Sequence, residues 1–173
     1  MFAGERRKTL EDIAGRNANG IISLSVADLY LVRHGEARTD GEDAQRTLTP
    51  RGEEQIETIA RWAARVGFRV DEVRHSGKTR AAQTAAILSR YIGARSAAVS
   101  GIAPNDDVRA FEPSSGSLMI VSHLPFLSRL ASHLLVSDAE REIIALQTGA
   151  MAHLVRADAG WRLVWLITPE CLP

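Results

Sequence analysis

Two polar pairs interrupt the sequence at equivalent places. Leu29 to Val32 is a continuous apolar run that ends in Arg33-His34, and Leu118 to Val121 is a second such run that ends in Ser122-His123. Short uninterrupted apolar runs are what strands buried on both faces require. In an open α/β sheet, ligands bind beyond the carboxyl ends of the strands. Two histidines at two such ends therefore face one crevice, with Arg33 beside them as a fork for an anion. A third strand end delivers Ser76-Gly77 and the first turn of a helix carrying Arg80, where free N–H groups and the helix dipole also favour negative charge. Taken singly, each feature has a plain structural reading: an arginine after a strand is a solvated rim residue, a histidine before a helix is a satisfied structural group, and Thr84, four residues after Arg80, is packing. Three such features at three strand ends point instead to an anion site.

The surrounding elements are those needed to hold these residues together. Thr49-Pro50 is a helix start, with threonine as the N-cap and proline at the first helical position. Ile56, Ile59, Ala60 and Ala63 follow at helical spacing, and Gly67 marks the end. Residues 68 to 75 read as a second strand. A helix over 79 to 92 carries Ala82, Ala85 and Ala86 on its packing side and closes at Gly93. The stretch from 94 to 117 is the least regular; it is expected to hold a short strand over 97 to 99 and a loop through Pro104-Asn105-Asp106-Asp107. Pro125 opens a third helix with an apolar face of Phe126, Leu127, Leu130, Ala131, Leu134 and Leu135. A hairpin of residues 151 to 155 and 161 to 167, turning at Asp158-Ala159-Gly160, ends the chain. Alternating strands and helices predict a three-layer α/β/α domain with a mostly parallel sheet and helices on both faces. Residues 1 to 25 read as an N-terminal extension in which Leu10, Ile13 and Ala14 line a short helix ended by Asn17 to Gly20; residues 26 to 173 form the domain.

Composition limits the partners. The 173 residues are 45% apolar, a globular composition for one domain, and Lys+Arg equals Asp+Glu at 21 each. No basic field draws the chain to nucleic acid or to a membrane surface. Lys8 and Lys78 are the only lysines, and arginine is the better fork for phosphate and carboxylate. Cys171 is the single cysteine, so no internal disulfide forms and a reducing compartment fits. No apolar run approaches the roughly 20 residues that span a bilayer. A cytoplasmic protein is expected.

The same residues resemble a known family. Leu31-Val32-Arg33-His34-Gly35-Glu36-Ala37 is similar to the Arg-His-Gly signature of the histidine phosphatase (phosphoglycerate mutase-like) superfamily. Leu48-Thr49-Pro50-Arg51-Gly52 resembles that family's helix start, and Ser76-Gly77-Lys78-Thr79-Arg80-Ala81-Ala82-Gln83-Thr84-Ala85 resembles its second arginine block. Val121-Ser122-His123-Leu124-Pro125 resembles the second-histidine block of the small SixA-type phosphohistidine phosphatases. The ordered set spans about residue 28 to the C-terminus.

The resemblance implies that His34 is a nucleophile and that Arg33, Arg80 and His123 form the phosphate pocket, with the Gly35 carbonyl holding the other ring nitrogen of His34. Phosphoryl transfer needs an in-line nucleophile and positive donors around three equatorial oxygens. Here four such groups stand where other enzymes use a divalent metal, so no metal and no cofactor are expected. His75, His133 and His153 sit in no ligand pattern. Arg46, two residues before Leu48, matches an arginine near the mouth of SixA-like sites and, with Gly35 and Ser76, is a candidate substrate contact.

Two departures stand out. Gly77 occupies a position where the family usually has proline. The acidic residue that protonates leaving groups in larger members has no clear equivalent; Asp106, Asp107 and Glu36 are the candidates. A phosphohistidine substrate relaxes that requirement, because imidazole leaves more readily than an alkoxide. The expected function is thus a metal-independent phosphatase acting through a phosphohistidine intermediate on phosphohistidine of a signalling protein. The alternatives are a small-molecule phosphomonoesterase and a non-catalytic phosphate-binding module.

Overall fold

The computed structural model describes residues 27–113, 116–157 and 160–172, together with two short paired segments, β1 (Gly15–Arg16) and β2 (Ile22–Ser23). The expected N-terminal helix, the boundary at residue 25 and the first two residues of the Asp158-Ala159-Gly160 turn lie outside the described residues. A six-stranded sheet organises the rest. Its strands are β3 (Asp28–Arg33), β4 (Glu72–His75), β5 (Arg95–Ala98), β6 (Ser117–Ser122), β7 (Met151–Ala157) and β8 (Gly160–Ile167). They lie in the order β5-β4-β6-β3-β7-β8. The β5–β4, β4–β6 and β6–β3 pairs are parallel, and β7 pairs antiparallel with both β3 and β8. The expected mostly parallel sheet is therefore present.

Period-two side-chain alternation sorts the strands into two cores. Leu29 and Leu31 of β3, with Leu118 and Ile120 of β6, face the helix α3 (Phe126–Val136) and its Phe126, Leu127 and Leu130. Tyr30, Val32, Met119 and Val121 face the other way, onto α1 (Pro50–Arg65) and α2 (Thr79–Ile92). Ile56, Ile59, Ala60, Ala81, Ala85 and Leu88 of these two helices are fully buried there. Helices thus cover both faces, as the sequence implies. No helix of the described residues is long and apolar enough to cross a membrane.

Helix boundaries follow local chemistry. Thr49 caps α1 by accepting the Gly52 N–H at 3.0 Å, and Pro50 is its first residue. Such a cap is worth about 1 kcal/mol. Gly67, at φ 70°, ends the helix, and the next N–H, of Phe68, bonds back to the Ala63 carbonyl at 2.9 Å. That bond corrects one expectation. The strand expected over 68 to 75 is only Glu72–His75, because Phe68 is spent closing the helix and the chain reaches the sheet at Asp71, whose N–H bonds Ser117 O at 2.9 Å. The short strand expected over 97 to 99 is Arg95–Ala98, an edge strand exposed throughout, placed by its parallel pairing with β4.

Candidate active site

Three neighbouring strands deliver the site. Arg33 and Ser122 are paired in the β3–β6 register, and His75 pairs with Val121 across β4–β6. The next residues, His34, His123 and Ser76, therefore leave adjacent parallel strands side by side. Neighbouring strands lie about 4.8 Å apart, and the His34 and His123 ring centroids are 4.8 Å apart. His123, on the central strand, also shares a 2.6 Å hydrogen bond between its Nε2 and the Ser76 hydroxyl. Its Nδ1 is buried and has no partner among the described residues.

His34 is oriented from both ring nitrogens. Nδ1 lies 2.7 Å from the Gly35 carbonyl, which can only accept, so Nδ1 carries the proton. Nε2 is left with a lone pair, and it accepts from Arg80 Nε at 3.2 Å. Arg80 reaches it from the first turn of α2, immediately after the Ser76-Gly77 turn. Gly77 stands at φ 79°, a conformation closed to the proline usual at this place.

Four consecutive N–H groups fix the chain around the nucleophile candidate. Arg33 N–H bonds Ala150 O at 3.0 Å and His34 N–H bonds Ser122 O at 3.2 Å. Gly35 N–H bonds Thr84 Oγ1 at 3.2 Å, and Glu36 N–H bonds Gln55 Oε1 at 3.0 Å. Thr84 is fully buried and donates its own proton to Arg80 O at 2.8 Å, so it ties the Arg-His-Gly turn to the helix that carries Arg80. In the sequence Thr84 reads as packing, and nothing marks Gln55. Gly35 is required for a different reason: a Cβ there would lie 2.5 Å from Gly52 O and 2.9 Å from an Ile56 methylene carbon.

The remaining candidates separate clearly. Arg33 anchors Nη1 on the Leu146 carbonyl at 2.8 Å, while its Nε is buried without a partner among the described residues. Arg46 lies at the mouth with Lys78 and Arg80, in a cleft of about 470 Å³ that Asp40 and Gln45 also line. Asp40 pairs with Arg46 at 3.3 Å. Lys78 went unnoticed in the sequence as a mouth residue because it reads as a solvated helix-start residue. The three acid candidates are held elsewhere. Glu36 accepts from the Thr49 hydroxyl at 2.9 Å and lies 3.7 Å from Arg51. Asp106 accepts the Ala103 N–H at 2.7 Å, and Asp107 caps a short turn through the Arg109 N–H at 3.0 Å. None of the three is hydrogen-bonded to His34 or His123 among the described residues. No group of three or more His, Cys, Asp or Glu among those residues is placed to hold a metal ion.

A family model for the histidine phosphatase superfamily (branch 1) matches residues 29–102. An uncharacterized protein of Picosynechococcus sp. is 30% identical over 166 residues, covering 84% of this chain and 98% of that one. The chain belongs to the histidine phosphatase superfamily. The structure of SixA from Agrobacterium tumefaciens superposes with a TM-score of 0.68 at 25% identity, over 83% of this chain and 98% of that one. The protein histidine phosphatase SixA complexed with tungstate gives 0.71 at 22% identity, over the same shares of the two chains. Human serine/threonine-protein phosphatase PGAM5, mitochondrial, is 38% identical over 65 residues, 37% of this chain. The chain spans 22% of that relative's length.

Within this histidine phosphatase fold both site histidines are kept neutral. Burial, opposed in part by the Gly35 carbonyl and reinforced by Arg80, Arg33 and Arg46, pushes His34 down to about 4. Burial and then the neighbouring His34, Arg80, Lys78 and Arg46 push His123 down to about 3. Folded-state values below the unfolded ones mean that the unfolded chain binds more protons as pH falls through 6.5. Stability is therefore complete above about pH 6.5 and lost as pH falls toward 4 and 3, by up to about 1.4 kcal/mol per pH unit for each histidine. His75, lowered by burial, adds in the same direction. Urea unfolding at pH 7, 6 and 5 is expected to show this decline, and to show less of it in His123→Asn; a stability flat from pH 7 to 5 would contradict it.

Proposed function

We propose that this protein is a metal-independent phosphatase working through a covalent phosphohistidine at His34, and that its substrate is phosphohistidine on a signalling protein. The observation that carries the reading is the His34 ring, whose proton is pinned on Nδ1 and whose Nε2 lone pair faces Arg80. In the first step Nε2 attacks phosphorus, the bond from phosphorus to the leaving atom breaks, and the leaving group departs with that electron pair. Arg33, Arg80 and His123 donate to the equatorial oxygens as charge spreads over them. For this, Arg80 shifts its donor from His34 Nε2 to an oxygen of the phosphoryl group before attack, and His123 shifts its Nε2–H from the Ser76 hydroxyl to another. In the second step water attacks phosphorus, the N–P bond breaks toward the ring, and inorganic phosphate leaves with His34 neutral again.

The engagement of Glu36, Asp106 and Asp107 with backbone groups and with other side chains supports a substrate that needs little help in leaving. Imidazole, with a proton on its other ring nitrogen so that it departs neutral, is such a leaving group, and an alkoxide is not. The mouth cations Arg46 and Lys78, with Arg80 and Gln45, line a cleft of about 470 Å³ whose charge suits a phosphoryl group presented from a protein surface.

Turnover of a phosphohistidine peptide, a phosphoserine peptide and an aryl phosphate, measured with and without EDTA, tests the reading. Phosphohistidine and the aryl ester are expected to turn over far faster than phosphoserine, by at least the factor of about 10²–10⁴ that a general acid supplies, and EDTA is expected to change nothing. Equal rates for all three, steepening in Asp106→Asn or Asp107→Asn, would replace this reading with a broad phosphomonoesterase. Loss on chelation, restored by Mg²⁺ or Zn²⁺, would defeat the mechanism.

A further inference from the structure

We infer that Gln55 is a positioning residue for His34, acting through the peptide that joins Gly35 to Glu36. This inference rests on His34 being the nucleophile. The carbonyl of that peptide accepts the Nδ1–H of His34 at 2.7 Å, and its N–H donates to Gln55 Oε1 at 3.0 Å. One peptide unit thus stands between the two side chains. Gln55 holds its plane from one end while the imidazole reads it from the other.

The arrangement is tightly determined. Gln55 sits on the buried face of α1, beside Ile56, and is only 7% exposed. The Glu36 N–H can donate only to an oxygen, which fixes the orientation of the Gln55 amide and turns its Nε2 toward Thr148 Oγ1 at 3.4 Å. The Gln55 Cβ lies against Gly149, where an added side-chain carbon would stand 3.3 Å away. Gly149 N–H in turn donates to the carbonyls of Arg33 and His34, each at 3.1 Å. The amide therefore packs against the same loop that fixes the other end of the Arg33 to Glu36 segment.

Two consequences for the chemistry follow. A carbonyl whose own peptide N–H is hydrogen-bonded is a stronger acceptor, since linked hydrogen bonds polarise one another. The Nδ1–H tautomer is favoured, which keeps the lone pair on Nε2. When Nε2 takes the phosphoryl group, positive charge spreads to Nδ1–H, and the same carbonyl gains most from that charge. Gln55 is expected to contribute more to the phosphorylated ring than to the free one. That is the signature of an effect on rate more than on substrate binding.

The test uses the full chain, with p-nitrophenyl phosphate as substrate and ¹⁵N-labelled histidine for direct observation of His34. Gln55→Met keeps the length and removes the acceptor; Gln55→Glu restores an acceptor oxygen at the same place. In Gln55→Met the rate of phosphoenzyme formation is expected to fall by about 10- to 100-fold, as for the outer partners that orient metal-bound histidines. KM should stay close to the wild-type value, and the ¹⁵N shifts of His34 should move from pure Nδ1–H toward a tautomer mixture. Gln55→Glu should recover both the Nδ1–H signature and most of the rate. A Gln55→Met protein that melts earlier but retains wild-type kcat and a pure Nδ1–H ring would reduce Gln55 to a packing residue. Should Gln55→Met not fold, Gln55→Glu decides alone, and loss of its Nδ1–H signature would overturn the inference. The tautomer is read without turnover, so absence of phosphatase activity in the wild type would strike the functional reading and leave this measurement intact.

Discussion

Replacing His34 by alanine is expected to abolish turnover, by at least about 10⁴-fold in kcat, because the His34 ring supplies the attacking lone pair. His123 cannot substitute. Its Nε2 is engaged with Ser76 at 2.6 Å, and its Nδ1 is buried among protein atoms. The fold should tolerate the change, since the backbone bonds of His34 to Ser122 and Gly149 remain. The measurement is kcat for an aryl phosphate alongside a thermal melt. Loss of activity with an unchanged melt is the expected pair, and retention of more than a few per cent of activity would move the nucleophile elsewhere.

Arg80→Ala is expected to lower kcat by about 10²–10³, the typical cost of deleting one preorganised donor to transition-state charge. Two separate readouts distinguish this from a general loosening. Arg80 is among the cations that depress His34, so its removal should raise the His34 pKa and move the acid limb of kcat/KM to higher pH. Arg80→Lys should restore part of the charge effect and little of the rate. An ammonium is a point charge, whereas the guanidinium offers Nε–H to His34 and a planar fork to an oxyanion. A rate loss below about threefold in Arg80→Ala, with the acid limb unmoved, would remove Arg80 from the site.

Much of this geometry was legible in the chain, for identifiable reasons. The apolar runs before Arg33 and Ser122 are long enough, and the polar break sharp enough, to mark two strand ends. Thr49-Pro50 and Gly67 punctuate α1 by side-chain and backbone chemistry that needs no tertiary context, and Gly93 does the same for α2. What stayed hidden depends on contacts distant in sequence. Thr84 and Gln55 are polar residues on otherwise apolar helix faces. Nothing within their helices reveals that each meets a free N–H of the Arg-His-Gly turn, 49 and 19 residues away. The strand at Arg95–Ala98 carries no apolar alternation because both of its faces are exposed, so its existence is decided by β4. The sequence overstates the length of β4 because Phe68 and Val70 are strand-like residue types two apart, while the closing of α1 claims the Phe68 N–H.

The claim that a phosphoryl group rests covalently on His34 is tested most directly by trapping it. The wild-type protein is mixed with an aryl phosphate, denatured in alkali within milliseconds and digested, and the phosphorylated peptide is located by mass spectrometry. One alkali-stable, acid-labile phosphate is expected, carried on the peptide containing Arg33-His34-Gly35, formed as a burst stoichiometric with active sites and absent from His34→Ala. A phosphate on any other residue, or steady turnover with no trapped phosphoenzyme from the first turnover onward, would contradict it.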